Sequence, residues 1–358
     1  MLVAERARRV LGERVAIALP VRGPQECRDD FEIPVRDVKR LPPEVGEAEV
    51  DVELEQVDSG RALGHANKVG RGSDGIRLAA MGDIRYGPSG LPEAPSFEEA
   101  FAGLAAEGYR ACEIGFVSGF WLDYETAPLF GAAADAADVA LSVHAPLAAF
   151  MGHADRGKKF KMALGMLDHT AGLARACGAR LIVFHPGFLL GRERGQAIAD
   201  VVDQLGDLRE RLEAKDRLVP FGVEVMGRVR DLGTVDDVLA IAAQVDFVQP
   251  VLDFAHMHAT SDGAFLESDA FAEALAGADA VLEAGAPFHI HFSDIQYANR
   301  NETKHLPYGE GTLRAEPLRD ALDRFERAAT VISEAPDAAS TQAIGAVLLG
   351  TSSARRSS

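Results

Sequence analysis

The stretch FKMALGMLDHTAGLARACGARLIVFHPG, Phe160–Gly187, sets the fold class. Its first half places Phe160, Ala163, Leu164, Leu167, Ala171 and Ala174 at the three- and four-residue spacing of one helix face, and Gly178 follows where a helix C-terminal glycine belongs. Then the pattern changes. Leu181–Gly187 is a short apolar run that ends in His-Pro, the reading of a strand stopped by proline. A helix that feeds directly into a strand is one unit of a β-α rhythm.

The same alternation extends in both directions. Strands are predicted at Asp83–Gly87, Ala111–Phe116, Ala140–Pro146, Leu181–Gly187, Pro220–Met226, Val248–His256, Phe288–Asp294 and Thr330–Pro336, with helical patterns between them. Eight strands, eight helices and about 270 residues predict a (β/α)8 TIM barrel, an α/β fold, over residues 81–350. A doubly wound open sheet is the structural alternative; against it, no G-x-G-x-x-G opens a helix. Residues 1–80 lack the rhythm. VAIALPV and EVDVELEQVD alternate as strands do, between turn-rich segments, so this part is read as a small β-rich accessory region. The tail 351–358, TSSARRSS, is expected to be disordered.

Composition narrows the setting. Hydrophobic residues make up 47% of the chain, enough for a large core. The three cysteines lie far apart without C-x-x-C spacing, which argues against a disulfide framework or a thiolate metal site. With no long apolar run and no clean signal sequence, a cytoplasmic location away from membranes is expected. A net charge of −18 argues against nucleic-acid binding through a broad basic surface. It does not exclude a nuclease, because bound divalent cations invert the local field.

Histidines carry the chemical signal. The chain has ten, and His144, His185, His256, His258, His289, His291 and His305 fall at or just after predicted strand ends. Those ends form the rim where barrel enzymes keep their active sites. Glu224 in FGVEVMG, Asp253 in VLDFAHMHA and Glu334 in VISEAP stand at corresponding places, while His305 is read as part of a loop, KHLPYGEG. A carboxylate at the barrel mouth needs a cation. Arg228 is the plain structural partner for Glu224, and a metal ion is the sharper one. Imidazoles with carboxylates and no thiolate suit Zn2+ or Mn2+.

Taken together, SVHAP, FHPGF, VEVMG, LDFAHMHA, HIHFSD, KHLPYGEG and VISEAP resemble, in order, the motifs of the endonuclease IV (AP endonuclease family 2) group within the xylose-isomerase-like barrels. The resemblance runs from Ile84 to Glu334. It implies two or three zinc ions: one held by His144, His185 and Glu224, a second sharing Glu224 with Asp253, His291 and Glu334, and a third held by His256 and His305. It also implies metal-assisted hydrolysis of DNA on the 5′ side of abasic sites, with Glu224 and Glu334 as the catalytic carboxylates. Two positions depart from the family. Thr303 stands where the family has the third ion's aspartate, which leaves that ion short of a ligand unless Glu302 or His258 supplies one. Leu147 stands where the family has a tyrosine that enters the DNA. The alternative function is a metal-dependent isomerase or epimerase acting on a small sugar, and the non-enzymatic alternative is a metal-stabilised binding module.

Overall fold

The computed structural model describes residues 83–351 apart from Ser118. The readings of 1–80 as a β-rich region and of the tail beyond Thr351 as disordered lie outside the described residues. Eight parallel strands make one sheet: β1 (Ile84–Pro88), β2 (Ala111–Gly115), β3 (Ala140–His144), β4 (Ile182–Phe184), β5 (Phe221–Glu224), β6 (Val248–Asp253), β7 (Phe288–Phe292) and β10 (Ala329–Ser333). Their order is β1-β10-β7-β6-β5-β4-β3-β2. The end strands β1 and β2 meet through a parallel bridge between Ser89 and Glu113, and Gly90 N–H donates to the Glu113 carbonyl at 2.7 Å. The sheet therefore closes into the (β/α)8 barrel that the alternation predicts.

Helices α1 (Phe97–Ala106), α2 (Ala127–Ala136), α3 (Lys158–Ala176), α4 (Arg194–Glu213) and α5 (Val235–Ala242) connect the first six strands, and α7 (Ser268–Val281), α8 (Ala315–Leu322) and α9 (Ala338–Leu348) follow in the second half. Helix α3 buries Phe160, Ala163, Leu167, Ala171 and Ala174, most of the stripe read from the sequence. The main core lies between the helices and the outer face of the barrel, where Phe130, Phe184, Phe221, Phe271 and Phe288 are fully buried. Truncating one of these to alanine is worth roughly 3–5 kcal/mol. A separate small cluster, Leu181, Val183 and Val251, fills the barrel interior. Gly222 completes it by omission, since a Cβ there would lie 2.5 Å from Val251 Cγ2 and 3.0 Å from Leu181 Cδ2.

Two local structures differ from the sequence expectation. Strand β6 stops at Asp253, and a short helix α6 (Phe254–Thr260) begins at once. The Asp253 side chain accepts the His256 N–H at 2.7 Å, satisfying an amide of the first helical turn. His256 and His258 therefore sit on a helix rather than at a strand end. The second difference is a hairpin of β8 (Asp294–Ala298) and β9 (Asn301–Leu306). Its two-residue turn, Asn299-Arg300, has φ of 51° and 61°, the left-handed pair that matches the twist of the flanking strands. His305 is consequently a strand residue, held in place by a ladder and not by a free loop.

Candidate metal centre

The two-residue period of the strands aims one set of side chains inward. On β7, Phe288, Ile290 and Phe292 join the outer core while His289 and His291 face the barrel axis. His144, Glu224 and Asp253 close their own strands facing the same axis, and His185 and Glu334 follow just beyond β4 and β10. All of these except His185 and Glu334 are buried, and those two are half-buried.

Glu224 stands at the centre, and its two oxygens face different imidazoles. Oε2 lies 3.1 Å from His144 Nε2 and 2.9 Å from His185 Nε2. Oε1 lies 3.1 Å from His291 Nδ1 and 3.6 Å from His256 Nδ1. Arg228, the structural partner expected from proximity in sequence, instead pairs with Glu302 at 3.5 Å. The cations available to Glu224 among the described residues are thus imidazolium protons or a bound metal.

Tautomers can be read from the outer contacts. His144 Nδ1–H donates to the Ala145 carbonyl at 2.9 Å, and His256 Nδ1–H donates to the Val225 carbonyl at 2.8 Å. Each ring therefore turns Nε2 towards its carboxylate, His144 towards Glu224 and His256 towards Glu302 Oε2 at 2.8 Å. A lone pair facing a carboxylate at such distances is repulsive unless a proton or a metal ion mediates. Burial pulls the His144 imidazole down, but the adjacent Glu224 outweighs it and carries the group up to about 9. For Glu224 itself burial works upward, and His291, His185 and His144 hold it well below the usual carboxylate range. Burial pushes Asp253 up to about 6 and raises Glu334 as well. Asp253 Oδ2 is buried without a hydrogen-bond partner.

These features fit divalent metal. Three of the five donor groups among the described residues share no member: His144, His185 and Glu224; Asp253, His291 and Glu334; and His256, Glu302 and His305, the atoms of each group lying within 4.8 Å of one another. Bonds of about 2.0–2.1 Å place two donors of one zinc ion roughly 3 Å apart, the spacing found around Glu224. An ion within reach of Asp253 Oδ2 would also satisfy that orphaned atom.

The third group shows how the Thr303 departure is accommodated. The β8–β9 ladder pairs Gln296 with Lys304 and Tyr297 with Glu302, so Thr303 is the extra residue of a β-bulge. Its hydroxyl donates to the Gln296 carbonyl at 2.9 Å, away from the cluster. The bulge resets the alternation, and Glu302 joins His305 and His256 instead. Glu302 is also fixed from behind, because its N–H donates to the Gly227 carbonyl at 2.8 Å. A Cβ on Gly227 would lie 2.6 Å from Glu302 Oε2. His258, the other candidate to supply the missing ligand, is not brought in: its Nδ1 accepts the Phe265 N–H and its Nε2 donates to Thr312 Oγ1.

One residue escaped the sequence reading. Glu113, in the β2 run ACEIG, is buried beside His289 and His291. A lone charge inside an otherwise apolar strand was the available signal. His153, away from the strand ends, is buried in a loop against the Phe150 ring. Cys112 and Cys177 are buried and free.

Residues 101–348 match the family model described as a xylose isomerase-like TIM barrel. The chain belongs to that family. An uncharacterized protein of Methanocaldococcus jannaschii is 28% identical over 254 residues, covering 70% of this chain and 91% of the relative. Among solved structures, a D-tagatose 3-epimerase-like protein has a TM-score of 0.58 at 17% identity, covering 74% of this chain and 96% of that one. Endonuclease IV from Thermus thermophilus also has a TM-score of 0.58 at 17% identity, covering 74% of this chain and 98% of that one. The 3-keto-D-glucoside 4-epimerase of E. coli follows at 0.56 and 19% identity, covering 75% and 100%. At these identities the likeness shows the barrel alone, and an endonuclease and an epimerase-like protein match it equally well. Among the described residues no helix is long and apolar enough to cross a membrane.

Proposed function

We propose that this family member is a metal-dependent phosphodiester hydrolase that cuts DNA on the 5′ side of abasic sites. The observation that carries the reading is Glu224, whose two oxygens face two separate sets of imidazoles. A carboxylate so placed would be available to two divalent ions, whose chemistry would be to neutralise the charge on the attacking and leaving oxygens of a phosphate.

In this reading His144, His185 and Glu224 hold one Zn2+ or Mn2+ ion, Glu224 with Asp253, His291 and Glu334 a second, and His256, Glu302 and His305 a third. Bound there, the ions supply Lewis acidity that neutralises phosphate charge and acidifies water. The protein's own groups do the rest. Glu334 lies 3.4 Å from His291 Nδ1 and 3.9 Å from His305 Nε2, and it keeps partial solvent contact at the mouth. In this reading it orients the attacking water and accepts its proton. The backbone carbonyls of Ala145 and Val225 hold the His144 and His256 rings by their outer nitrogens, so neither needs to reorganise during reaction. Leu147 and Phe188, exposed on the loops that follow His144 and His185, offer apolar edges for a base step opened at a lesion. Exposed Arg228 and Lys304, near the third group, offer local positive charge to phosphates on an otherwise acidic chain.

The second reading is epimerisation or isomerisation of a small sugar. Two carboxylates facing one imidazole, Glu224 and Glu334 around His291 Nδ1, favour it, because such a pair could pass a proton across a substrate carbon. The experiment that separates the two is incubation of zinc- or manganese-loaded protein with a duplex bearing one synthetic abasic site, beside an undamaged duplex. Cleavage confined to the lesion is expected. An intact lesion duplex, together with interconversion of ketose epimers by the same sample, would transfer the assignment to the second reading.

A further inference from the structure

Below the metal centre, inside the barrel, lies a second buried cluster that the proposed hydrolysis does not use. Glu113 on β2 is 1% exposed, and no arginine or lysine pairs with it among the described residues. Its Oε2 accepts the Ser142 hydroxyl at 2.7 Å and His289 Nε2–H at 3.1 Å. Its Oε1 lies 3.0 Å from His291 Nε2. Those last two atoms are buried and have no other hydrogen-bond partner, although their present alignment is poorer than that of a good hydrogen bond.

We propose that Glu113 is a positioning residue: its carboxylate takes the Nε2–H of His291 and thereby fixes the tautomer that presents Nδ1 to Glu224 and Glu334. This deepens the metal reading of the preceding section and rests on it. The argument is one of proton accounting. His291 is fully buried, with Nδ1 facing the two upper carboxylates at 3.1 and 3.4 Å and Nε2 facing Glu113 from the other side. If Nδ1 serves as a metal ligand, its lone pair is committed and the ring's remaining proton must sit on Nε2. The acceptor within reach of that proton is Glu113 Oε1. A buried ionised carboxylate left unpaired costs several kcal/mol, so Glu113 in turn requires the donors found around it. Ser142 and His289 occupy its other oxygen and stop the carboxylate from rotating away from His291.

A metal ion held by Glu113, His289 and His291 themselves is the competing occupant, since these donors also lie within 4.8 Å of one another. It would need His291 to bind ions through both nitrogens, with no proton left on the ring. The two cases are distinguishable. Nitrogen-15 imidazole spectra of zinc-loaded protein, with His291 assigned by substitution, are expected to show a protonated, hydrogen-bonded Nε2 and a ligated Nδ1. In Glu113→Gln, an isosteric change whose folding is checked by circular dichroism, Ser142 and His289 keep the amide oxygen on their side, the amide NH2 faces His291, and the hydrogen-bonded Nε2–H signal should be lost. Zinc affinity at the Asp253–His291–Glu334 group should fall about 10–100-fold, as is usual when a ligand's outer partner is lost. A proton-free Nε2 in the wild-type protein, or an unchanged His291 spectrum and zinc titration in Glu113→Gln, would overturn the proposal. If the chain takes up no zinc, the metal reading fails separately. The Nε2 proton of the metal-free protein then decides: loss of its hydrogen bond in Glu113→Gln supports the positioning role, and no change refutes it.

Discussion

Glu302 Oε2 reaches His256 Nε2 at 2.8 Å across the mouth of the barrel, from a strand whose alternation has been shifted by one bulged residue. The contact joins a helix, α6, to a hairpin and completes a donor set that the linear order of residues leaves incomplete.

Removing that carboxylate should therefore empty the third group alone. Glu302→Gln is expected to lower bound zinc from three ions per chain to two, measured by elemental analysis after gel filtration, while Thr303→Ala leaves the count unchanged. Three ions in Glu302→Gln, or a loss in Thr303→Ala, would contradict the role of the bulge.

Gly227 offers a route to the same end without touching a donor. Its missing Cβ is the space that Glu302 occupies, with Oε2 only 2.6 Å from where the atom would stand. Gly227→Ala should displace Glu302 and weaken only the third ion, at a stability cost of about 1–3 kcal/mol from overpacking. Unaltered zinc titration in a folded Gly227→Ala protein would show that Glu302 has other ways to reach His256.

Glu224→Gln should be the most damaging isosteric change for activity. It removes the charge that faces four imidazoles, and a loss of several kcal/mol of transition-state stabilisation corresponds to roughly 10³-fold or more in rate. The measurement is single-turnover cleavage of the lesion duplex, with circular dichroism to confirm folding. Wild-type rates would end the bridging assignment.

The His144 proton makes the metal-stripped protein sensitive to pH. Folded, the imidazole holds its proton up to about pH 9, whereas the ordinary histidine value is 6.5. Because the native state binds the proton more tightly, its stabilising effect is full below pH 6.5 and lost as pH rises to about 9. The denaturant midpoint of stripped protein should fall across that window, by an amount on the order of 3 kcal/mol in stability. Zinc affinity should rise across the same window, since the ion must displace that proton. A midpoint that climbs with pH, or one that still falls equally in His144→Gln, would count against this.

Asp294 ties the hairpin to the loop beyond it. Fully buried, it accepts N–H groups from Gly309, Gly311 and Leu313 and pairs with Arg314 at 3.1 Å. Asp294→Ala should cost about 3–5 kcal/mol, because it leaves these donors unpaired. Limited proteolysis should then cut within 307–314 before the barrel unfolds, and uniform resistance there would refute the clamp.

Local sequence was enough to specify the barrel and most of the candidate site, because helical and strand periods are written in neighbouring residues. The two-residue period of FHIHFSD sends His289 and His291 to one side wherever the strand lies. His144, His185 and Glu224 stand at or just beyond the ends of apolar runs, and in a β-α alternation those ends form the barrel rim. The remaining features depend on pairing between distant segments and became visible only in three dimensions. The helix that carries His256 starts where Asp253 caps it, and the bulge at Thr303 exists only against Gln296 and Tyr297 on the opposing strand. Glu302 gains its role from Gly227, and Glu113 from His289 and His291, residues far apart in sequence whose register no local pattern encodes. Proximity in the chain pointed Glu224 towards Arg228, but barrel closure surrounded it with imidazoles and left the arginine to Glu302.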